Sequence, residues 1–551
     1  MKKTILTGAS ILALSIAAPA YAQSTSDVDQ IGNGNAATVE QNGSNTSDID
    51  QNGDGNSALV DQEGTGNSST IDQDSFLSLA DVTQSGSDNT STVTQVDPDV
   101  APGQGGTFGA PGFDPDATVV QDGISNESTI NQTIAAGGGF NQTASVTQTG
   151  DDNDSEVTQN SNGPGYTGGL RAIVEQTGGA TSDILQTGSN GGKNMDARVI
   201  QSDSTSNIVQ TATDTSGFNP SAFARVTQSG GSTSDVFQTL NGDMTGDLDA
   251  IVDQQNGATS TITQTANGAG SNNMDAIVDQ DGANTSEITQ KLDNANSNTF
   301  FASVTQTNDD NNSVIDQDDK GLTTVDSNLS ATVLQSGFNN DSNIDQDNKG
   351  ATAIVTQSGD NNESDVLQDG AGLNANVLQG GNGNLAFVSQ LGGLNSSVDI
   401  DQLGDDSFAY VNQDSNARND TATVSQLAGS SGNTAKIDQN GGPGSPGPQS
   451  FSSATITQSG FDSESTITQN GTLNTASSDQ SGSDNTSTIT QNGDGGLYNT
   501  ASVTQSGDDN LSTILQTGAG NSATVTQSSH FNNSSVTQTG DSNTATVTQG
   551  F

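Results

Sequence analysis

Residues 47–62 read SDIDQNGDGNSALVDQ, and residues 512–527 repeat the same arrangement as STILQTGAGNSATVTQ. Both stretches fit the pattern S-x-[IV]-x-Q-x-G-x-x-N-x-A-x-V-x-Q. A β-branched residue followed two positions later by Gln recurs about forty times, from Val28 to Val547, and these half-units pair into about twenty repeats. The chain is therefore interpreted as an array of one repeated supersecondary unit.

Each half-unit predicts a strand. Val, Ile and Thr favour strands, whereas Leu, Lys, Glu and Arg, which are typical of long helices, are scarce. Side chains alternate along a strand, so every second residue of a half-unit shares one face. In the first stretch this set is Ile49, Gln51, Asn56, Ala58, Val60 and Gln62; in the second it is Ile514, Gln516, Asn521, Ala523, Val525 and Gln527. These residues are predicted to point inwards.

A tight reversal separates the two strands of a repeat. Residues 53–56 (GDGN) tolerate positive φ, as a turn between two strands requires, so Gly53 and its counterpart Gly518 are predicted turn residues. Ser478 stands where other half-units have Val or Ile, and we expect it to weaken its coil.

Connections between half-units alternate in length in the middle of the chain. The spacing is 16 residues from Gln238 to Gln254 and 10 residues from Gln254 to Gln264. We therefore expect tight turns along one edge and longer loops along the other, where insertions are tolerated. The Pro/Gly-rich stretches 96–116 and 440–450 are predicted to be such loops.

Stacking is required because one repeat cannot fold alone. Burying two aliphatic side chains is worth about 3–6 kcal/mol, while fixing about 22 residues costs roughly 20–40 kcal/mol. Coils stacked in register would pair each strand above and below and place Gln over Gln and Asn over Asn. The sequence thus predicts an all-β fold, a cross-β β-solenoid over residues 23–551 of strand-turn-strand units. Its open end coils would bind another copy.

Composition limits the function classes. Only 28% of residues are hydrophobic, the net charge is −54, and Cys is absent. Nucleic acid is therefore an improbable partner, and a disulfide framework or thiolate metal site is excluded. Residues 1–22, with Lys2, Lys3, an apolar stretch and a final Ala-Tyr-Ala, are typical of a signal peptide. No later segment is apolar for long enough to predict a membrane-spanning helix.

The repeat pattern resembles that of the curlin family, whose subunits form curli fibres in the matrix of bacterial biofilms, over nearly all of residues 24–549. The resemblance implies a secreted structural protein that assembles into amyloid fibres for biofilm, adhesion and attachment, with its own copies as partner. A nucleator subunit and dedicated secretion machinery are further implied partners. By the resemblance, the amyloid ladder comprises Gln51, Asn56, Gln62, Gln516, Asn521 and Gln527, with Ile49, Val60, Ile514 and Val525 as aliphatic partners.

Several alternatives stay open. Outward Thr-x-Thr pairs such as Thr466 and Thr468 suit an ice-binding solenoid, although outward acids interrupt the array elsewhere. A calcium-binding solenoid or adhesin is a further candidate, with acidic loops such as residues 151–154, and a disordered acidic polymer is the compositional alternative. No enzyme activity, cofactor or metal site is expected: the carboxylates follow a regular repeat, and His530 is the lone histidine.

Overall fold

The computed structural model describes residues 23–550 with internal gaps. The predicted signal peptide, residues 1–22, and most of the two Pro/Gly-rich stretches lie outside the described residues. The gaps are 98–114, 136–140, 163–168, 190–193, 214–220, 242–243, 268–269, 294–297, 320–327, 348–349, 415–416, 442–449 and 494–496.

The chain divides into two compact units, one comprising Met1–Ile277 with Leu292–Ala295 and the other Val278–Lys291 with Asn296–Phe551. The first contains β1 (Thr25–Ile31), β2 (Ala36–Asn52), β3 (Ser57–Asp74), β4 (Leu79–Ser87), β5 (Thr90–Val96), β6 (Asp116–Ile124), β7 (Glu127–Ile134), β8 (Gln142–Thr149), β9 (Asp154–Asn162), β10 (Leu170–Thr177), β11 (Thr181–Ser189), β12 (Met195–Ser202), β13 (Thr205–Thr213), β14 (Ser221–Ser229), β15 (Thr233–Asn241), β16 (Met244–Thr245), β17 (Asp247–Gln255) and β18 (Thr259–Asn267). The boundary between the units falls within β19 (Gly270–Asp281).

The second unit continues with β20 (Thr285–Leu292), β21 (Asn298–Thr307), β22 (Asn312–Asp319), β23 (Asn328–Gln335), β24 (Asp341–Asp347), β25 (Thr352–Gln357), β26 (Glu363–Ala371), β27 (Asn374–Gln379), β28 (Leu385–Leu394), β29 (Ser397–Gln402), β30 (Phe408–Gln413), β31 (Thr421–Gln426), β32 (Thr434–Asn440), β33 (Ser453–Gln458), β34 (Glu464–Asn470), β35 (Asn474–Gln480), β36 (Thr486–Asn492), β37 (Asn499–Gln505), β38 (Leu511–Thr517), β39 (Ser522–Gln527), β40 (Asn533–Thr539) and β41 (Thr544–Gln549). No helix occurs among the described residues of either unit.

Within each unit the chain winds as a β-solenoid. Most strands pair in parallel with the strands two before and two after them, so each coil contributes one strand to each of two facing sheets. The long strands β2 and β3 each span a whole coil. In the first unit we call the sheet that contains β1 and β5 the first sheet and the sheet that contains β4 the second. In the second unit the first sheet is the one that contains β40, and the second is the one that contains β41. The predicted all-β solenoid is confirmed.

Register is kept from coil to coil because equivalent repeat positions lie directly opposite each other. Ile49 pairs with Val28 on one side and with Ile71 on the other, and Ile514 pairs with Ile489 and Val536. The stretch 96–116 leaves this register unchanged, since β5 pairs with β7 from Thr90 opposite Glu127 onwards. Insertions therefore add length to a connection without shifting the stack.

The core lies between the two sheets. Strands of the inner coils alternate between buried and more exposed residues, as the period-two pattern predicts. Buried aliphatic side chains form continuous columns, and buried Gln, Asn and Ser side chains flank them. Because more than half of these buried side chains are polar, the fold depends on how those polar groups are hydrogen-bonded.

Candidate assembly site: amide ladders and end coils

Gln side chains form a hydrogen-bonded ladder along the first sheet. Gln51 Oε1 accepts from Gln30 Nε2 at 2.6 Å, and Gln51 Nε2 donates to Gln73 Oε1 at 2.8 Å. The second amide hydrogen of Gln51 reaches the carbonyl of Ala36 in the facing sheet at 3.1 Å. One buried amide thus joins three coils and both sheets, so its two donors and its acceptor are all used.

The second sheet has a matching ladder. Gln62 accepts from Gln41 Nε2 at 2.7 Å and donates to Gln84 Oε1 at 2.7 Å, with a further bond to the carbonyl of Thr46 at 3.0 Å. The donor direction is the same as in the first sheet, from the earlier coil to the later one. Each ladder is therefore polar along the stacking axis.

The second unit repeats both arrangements. Gln516 accepts from Gln491 at 2.9 Å and donates to Gln538 at 2.8 Å. Gln527 accepts from Gln505 at 2.9 Å and donates to Gln549 at 2.8 Å. These four predicted ladder positions, two in each unit, hold equivalent places in the stack.

Asn side chains form a further ladder, in which they bond to each other, as Asn543 Nδ2 does to Asn521 Oδ1 at 3.0 Å, and also to the turn backbone. Asn56 Oδ1 accepts the main-chain N–H of Ser78 at 3.0 Å, and its own N–H donates to Asn35 Oδ1 at 2.9 Å. The N–H of Asn521 likewise donates to the side chain of Asn499 at 2.9 Å. Asn therefore satisfies the turn backbone of the neighbouring coil, where a β-ladder bond is lacking.

The predicted core residues are all buried: Ile49, Ala58, Val60, Ile514, Ala523 and Val525. The predicted turn residues have positive φ, 128° at Gly53 and 109° at Gly518. A Cβ on Gly53 would lie 1.9 Å from the carbonyl oxygen of Ser75 in the next coil. Stacked turns at this position thus require glycine for contact as well as for conformation.

Acidic turn residues form a third set of links between coils, which was not predicted from the sequence. Asp54 Oδ1 accepts the N–H of Asn33 at 2.7 Å, and Asp541 Oδ1 accepts the N–H of Ala519 at 2.9 Å. Both Asp residues directly follow the Gly of their turn. This recurring Gly-Asp pair was the signal that could have identified them as links between coils.

Some buried hydroxyl groups lack a hydrogen-bond partner, unlike most of the buried amides. In many half-units an inward Ser lies two positions before the aliphatic core residue. Several of these Ser side chains are buried, and their Oγ has no hydrogen-bond partner among the described residues; Ser69 and Ser465 are examples. Ser478 is also buried with an unpartnered Oγ, and it stacks between Ile456 and Val503. A lone hydroxyl in an aliphatic column lowers the stability of its coil.

One carboxyl group lies inside the second unit. Asp420 is 1% exposed, and its Oδ1 accepts from Ser450 Oγ at 2.5 Å and from the N–H of Ser452 at 2.6 Å. Burial raises the pKa of Asp420 to about 6, against the lowering effect of these two hydrogen bonds. Asp420 occupies a position where other coils place a neutral Asn or Ser, which makes this coil sensitive to pH.

Acids also stack on the outer surface of the first sheet. Asp50 lies in register between Asp29 and Asp72, with Asp48 beside it. Desolvation and the neighbouring carboxylates of Asp48, Asp29 and Asp72 raise the pKa of Asp50. Like charges at successive coils therefore oppose stacking in this part of the chain.

The two end coils are more exposed than the inner ones. In β1 the core positions Val28 and Gln30 are partly exposed, and so are Val547 and Gln549 in β41. Equivalent residues of inner coils, such as Ile71 and Gln73, are 0% exposed. Each end thus presents the edges of both sheets together with an open end of the apolar column.

The rival sites have little support in the described residues. No cluster of three His, Asp or Glu residues suited to a metal ion occurs there. In the acidic loop at 151–154, Asp151 accepts a main-chain N–H and Asn153 is a buried ladder residue. His530 is exposed, and its Nδ1 accepts the N–H of Asp508 at 3.1 Å. None of the described residues form a helix that is long and apolar enough to cross a membrane.

Comparison with known proteins identifies the repeat. The model of the curlin associated repeat matches residues 44–74 in the first unit and residues 359–392, 460–493 and 499–528 in the second. No curated protein matches the chain significantly. The matched segments contain the ladder residues Gln51, Gln62, Gln516 and Gln527, and the resemblance seen in the sequence is confirmed. The chain therefore carries curlin associated repeats in both of its units.

Proposed function

We propose that this protein is an exported structural subunit that polymerises end to end into a curli-like extracellular amyloid fibre for biofilm matrix and attachment. The observation that carries the proposal is the pair of end coils, whose apolar and amide columns are open. Bound to a second copy, each open edge would gain the main-chain and amide bonds that every inner coil already has.

The two ends are complementary in sequence. Aligned by the pairing rule that operates inside the chain, β40 of one copy places Ser534, Val536 and Gln538 opposite Ser26, Val28 and Gln30 of the next. In the second sheet, Ala545, Val547 and Gln549 would meet Ala37, Val39 and Gln41. The joint would continue both columns with the residue types found in the inner coils.

The amide ladders give this joint a direction. In the inner coils one Nε2 hydrogen of Gln goes to the Oε1 of the following coil. Gln538 and Gln549 each donate one Nε2 hydrogen to a main-chain carbonyl of the other sheet, at 2.9 and 3.0 Å. The other Nε2 hydrogen of each would then donate to a coil that follows. Because Gln30 and Gln41 would supply Oε1 as acceptor, growth should join the last coil of one copy to the first coil of another.

Surface charge favours the same direction. The outward residues of β1 include Asp27 and Asp29, whereas the corresponding outward residues of β40 are Ser535 and Thr537. A head-to-tail joint would therefore place carboxylates against hydroxyls. A joint between two first coils would place Asp against Asp, which is unfavourable.

The test uses two end-blocked variants of the mature chain. Val28→Lys with Gln30→Lys blocks the first coil, and Val547→Lys with Gln549→Lys blocks the last. Neither variant alone should elongate, and an equimolar mixture should form one end-to-end joint and then stop, as measured by light scattering and sedimentation. Thr546→Lys with Thr548→Lys, which alters outward positions of the last coil, is the matched control and should still form fibres.

The proposal fails if either blocked variant forms fibres at the rate of the unmodified chain. Export and the partners implied by the family form a separate part of the proposal, supported by the signal-peptide pattern at residues 1–22. Fractionation of the producing cells should place the mature protein outside the cell.

A further inference from the structure

Part of the second unit presents an outer surface without charge. The outward residues at the centres of β34, β36, β38 and β40 carry hydroxyl or aliphatic side chains. We call this surface the threonine face; it comprises Thr466, Thr468, Thr488, Thr490, Thr513, Leu515, Ser535 and Thr537. Its four strands belong to successive coils of the first sheet.

The threonine face is a regular array because its coils are stacked without a register shift. Thr466 lies opposite Thr488, and Thr488 lies opposite Thr513. Neighbouring strands are about 4.8 Å apart, so the side chains form straight rows across the sheet. Leu511, at the start of β38, is 41% exposed and adds an apolar side chain beside these rows.

The absence of charge here contrasts with the composition of this chain, which has 65 acidic and 11 basic residues. The outward residues of β37, β39 and β41 on the second sheet are uncharged too, but they include no Leu. At equivalent positions of the first unit, Asp48, Asp50 and Asp72 form an acidic stack. Charged residues lie only at the border of the rows: Glu464 begins β34, and Lys436 and Asp438 of β32 lie opposite Thr466 and Thr468. A second copy, repelled over most of the surface, can approach this face closely without burying carboxylates.

We propose that the threonine face is a lateral contact that binds the same face of a second copy. Two such faces would pack as facing sheets about 10 Å apart, with Thr methyl groups and Leu515 in the contact. This contact is distinct from the end-to-end joint of the proposed function. In a fibre, it would pair filaments side by side.

Residue identity favours another copy of the chain over ice as the occupant. An ice-binding surface needs a long uniform hydroxyl array, whereas the Thr-x-Thr pairs of β34 and β36 are followed by Leu515 in β38 and Ser535 in β40. Exposed Leu side chains gain from exclusion of water in a protein contact. The rows of a second copy also have the same spacing as those of the first.

The test places charge on the threonine face of the full mature chain. The variant is Thr466→Asp with Thr488→Asp and Thr513→Asp, which are stacked neighbours. Its control is Thr70→Asp with Thr92→Asp and Thr129→Asp, three Thr residues stacked in the same way on the first sheet of the first unit, between Asp48 and Glu156. Both variants should keep the β-rich circular dichroism of the parent, since the chain already tolerates the stack of Asp29, Asp50 and Asp72.

Electron microscopy should show paired filaments for the parent and the control, and at least a tenfold lower fraction of pairs for the threonine-face variant at an unchanged rate of elongation. Equal pairing in the two variants would overturn the inference. If no filaments form, end-to-end growth is refuted, but the lateral contact can still be tested. Sedimentation equilibrium should then show a dimer for the parent and the control but not for the threonine-face variant. A dimer that this variant keeps, or no dimer in the parent, refutes the lateral contact. Loss of thermal hysteresis of freezing with unchanged pairing would overturn it in favour of ice binding.

Discussion

Gln51 Nε2 donates to Gln73 Oε1 at 2.8 Å, and both side chains lie between the two sheets with at most 1% of their surface exposed. This bond links successive coils at a position where the chain has no aliphatic residue to bury. It explains how a sequence with few hydrophobic residues keeps an ordered interior, because each amide replaces its lost hydration with bonds to the coils on both sides.

Gln73→Glu should strongly destabilise the first unit. The substitution removes the bond donated to Gln95 and places a carboxylate in the core, and we expect a loss of about 3–5 kcal/mol at neutral pH. Burial would raise the pKa of the new carboxyl, so acidification should recover part of the loss. Chemical denaturation at two pH values measures this effect. Thr70→Glu, at an exposed position nearby, is the control, and an equal loss in both variants would contradict the ladder.

Gly53→Ala should be far more damaging than Gly257→Ala. Both glycines have positive φ, which costs Ala about 1 kcal/mol. Only Gly53 has a carbonyl of the next coil at the place of the new Cβ, 1.9 Å away, whereas Gly257 has open space. We expect Gly53→Ala to destabilise the unit by about 2 kcal/mol more than Gly257→Ala does, from strain at a fixed backbone. Thermal melting of both variants measures the difference. Similar losses of stability in the two variants would show that the turns do not stack closely.

Ser478→Val should stabilise the second unit by about 1–2 kcal/mol. The substitution removes a buried hydroxyl that lacks a partner and extends the aliphatic column between Ile456 and Val503. Ser477→Val, at the adjacent outward position, is the control and should change stability little. Denaturant midpoints provide the measurement, and a destabilised Ser478→Val chain would mean that this position is not in the apolar column.

Stability of the second unit should fall as the pH rises from about 4 to about 6. The folded chain holds the Asp420 proton up to a pKa of about 6, whereas the unfolded carboxyl releases it near pH 4, so in this interval the folded state binds more protons. Above pH 6 the full loss is present, on the order of 3 kcal/mol, and below pH 4 the group contributes no pH dependence.

Asp420→Asn should remove this pH dependence, because an amide oxygen can still accept from Ser450 and Ser452 and carries no charge. Asp479→Asn, an outward position of β35, is the control and should leave the pH profile unchanged. Melting temperatures measured at several pH values test the assignment. An unchanged slope in Asp420→Asn would show that another group causes the dependence.

The fold was largely predictable because the period of the repeat can be read directly from the sequence. Alternation in each half-unit placed Ile49 and Gln51 on one face, and recurrence of the same residues required that they stack. Gly53 was predicted as a turn from its tolerance of positive φ. These inferences need only local geometry and repetition, both of which are written in the sequence.

Other features depend on contacts between coils that one repeat does not display. The bond from the N–H of Asn33 to Asp54 joins residues 21 positions apart, so the sequence of a single repeat does not show that the turn acid bonds to another coil. Asp420 was overlooked because its burial follows from its place in the stack, where a neutral residue is usual. The unpartnered hydroxyl of Ser69 likewise emerged only from the geometry of the packed interior.

Imaging of assembled fibres at a resolution that separates the coils would show whether the stack continues in register from one copy to the next. We predict that the coil after Gln549 begins with Thr25 of the next copy, that the spacing of about 4.8 Å continues across the joint, and that Gln538 lies over Gln30. A break in the ladder at the boundary between copies, or a stacking direction that runs across the fibre instead of along it, would contradict end-to-end assembly.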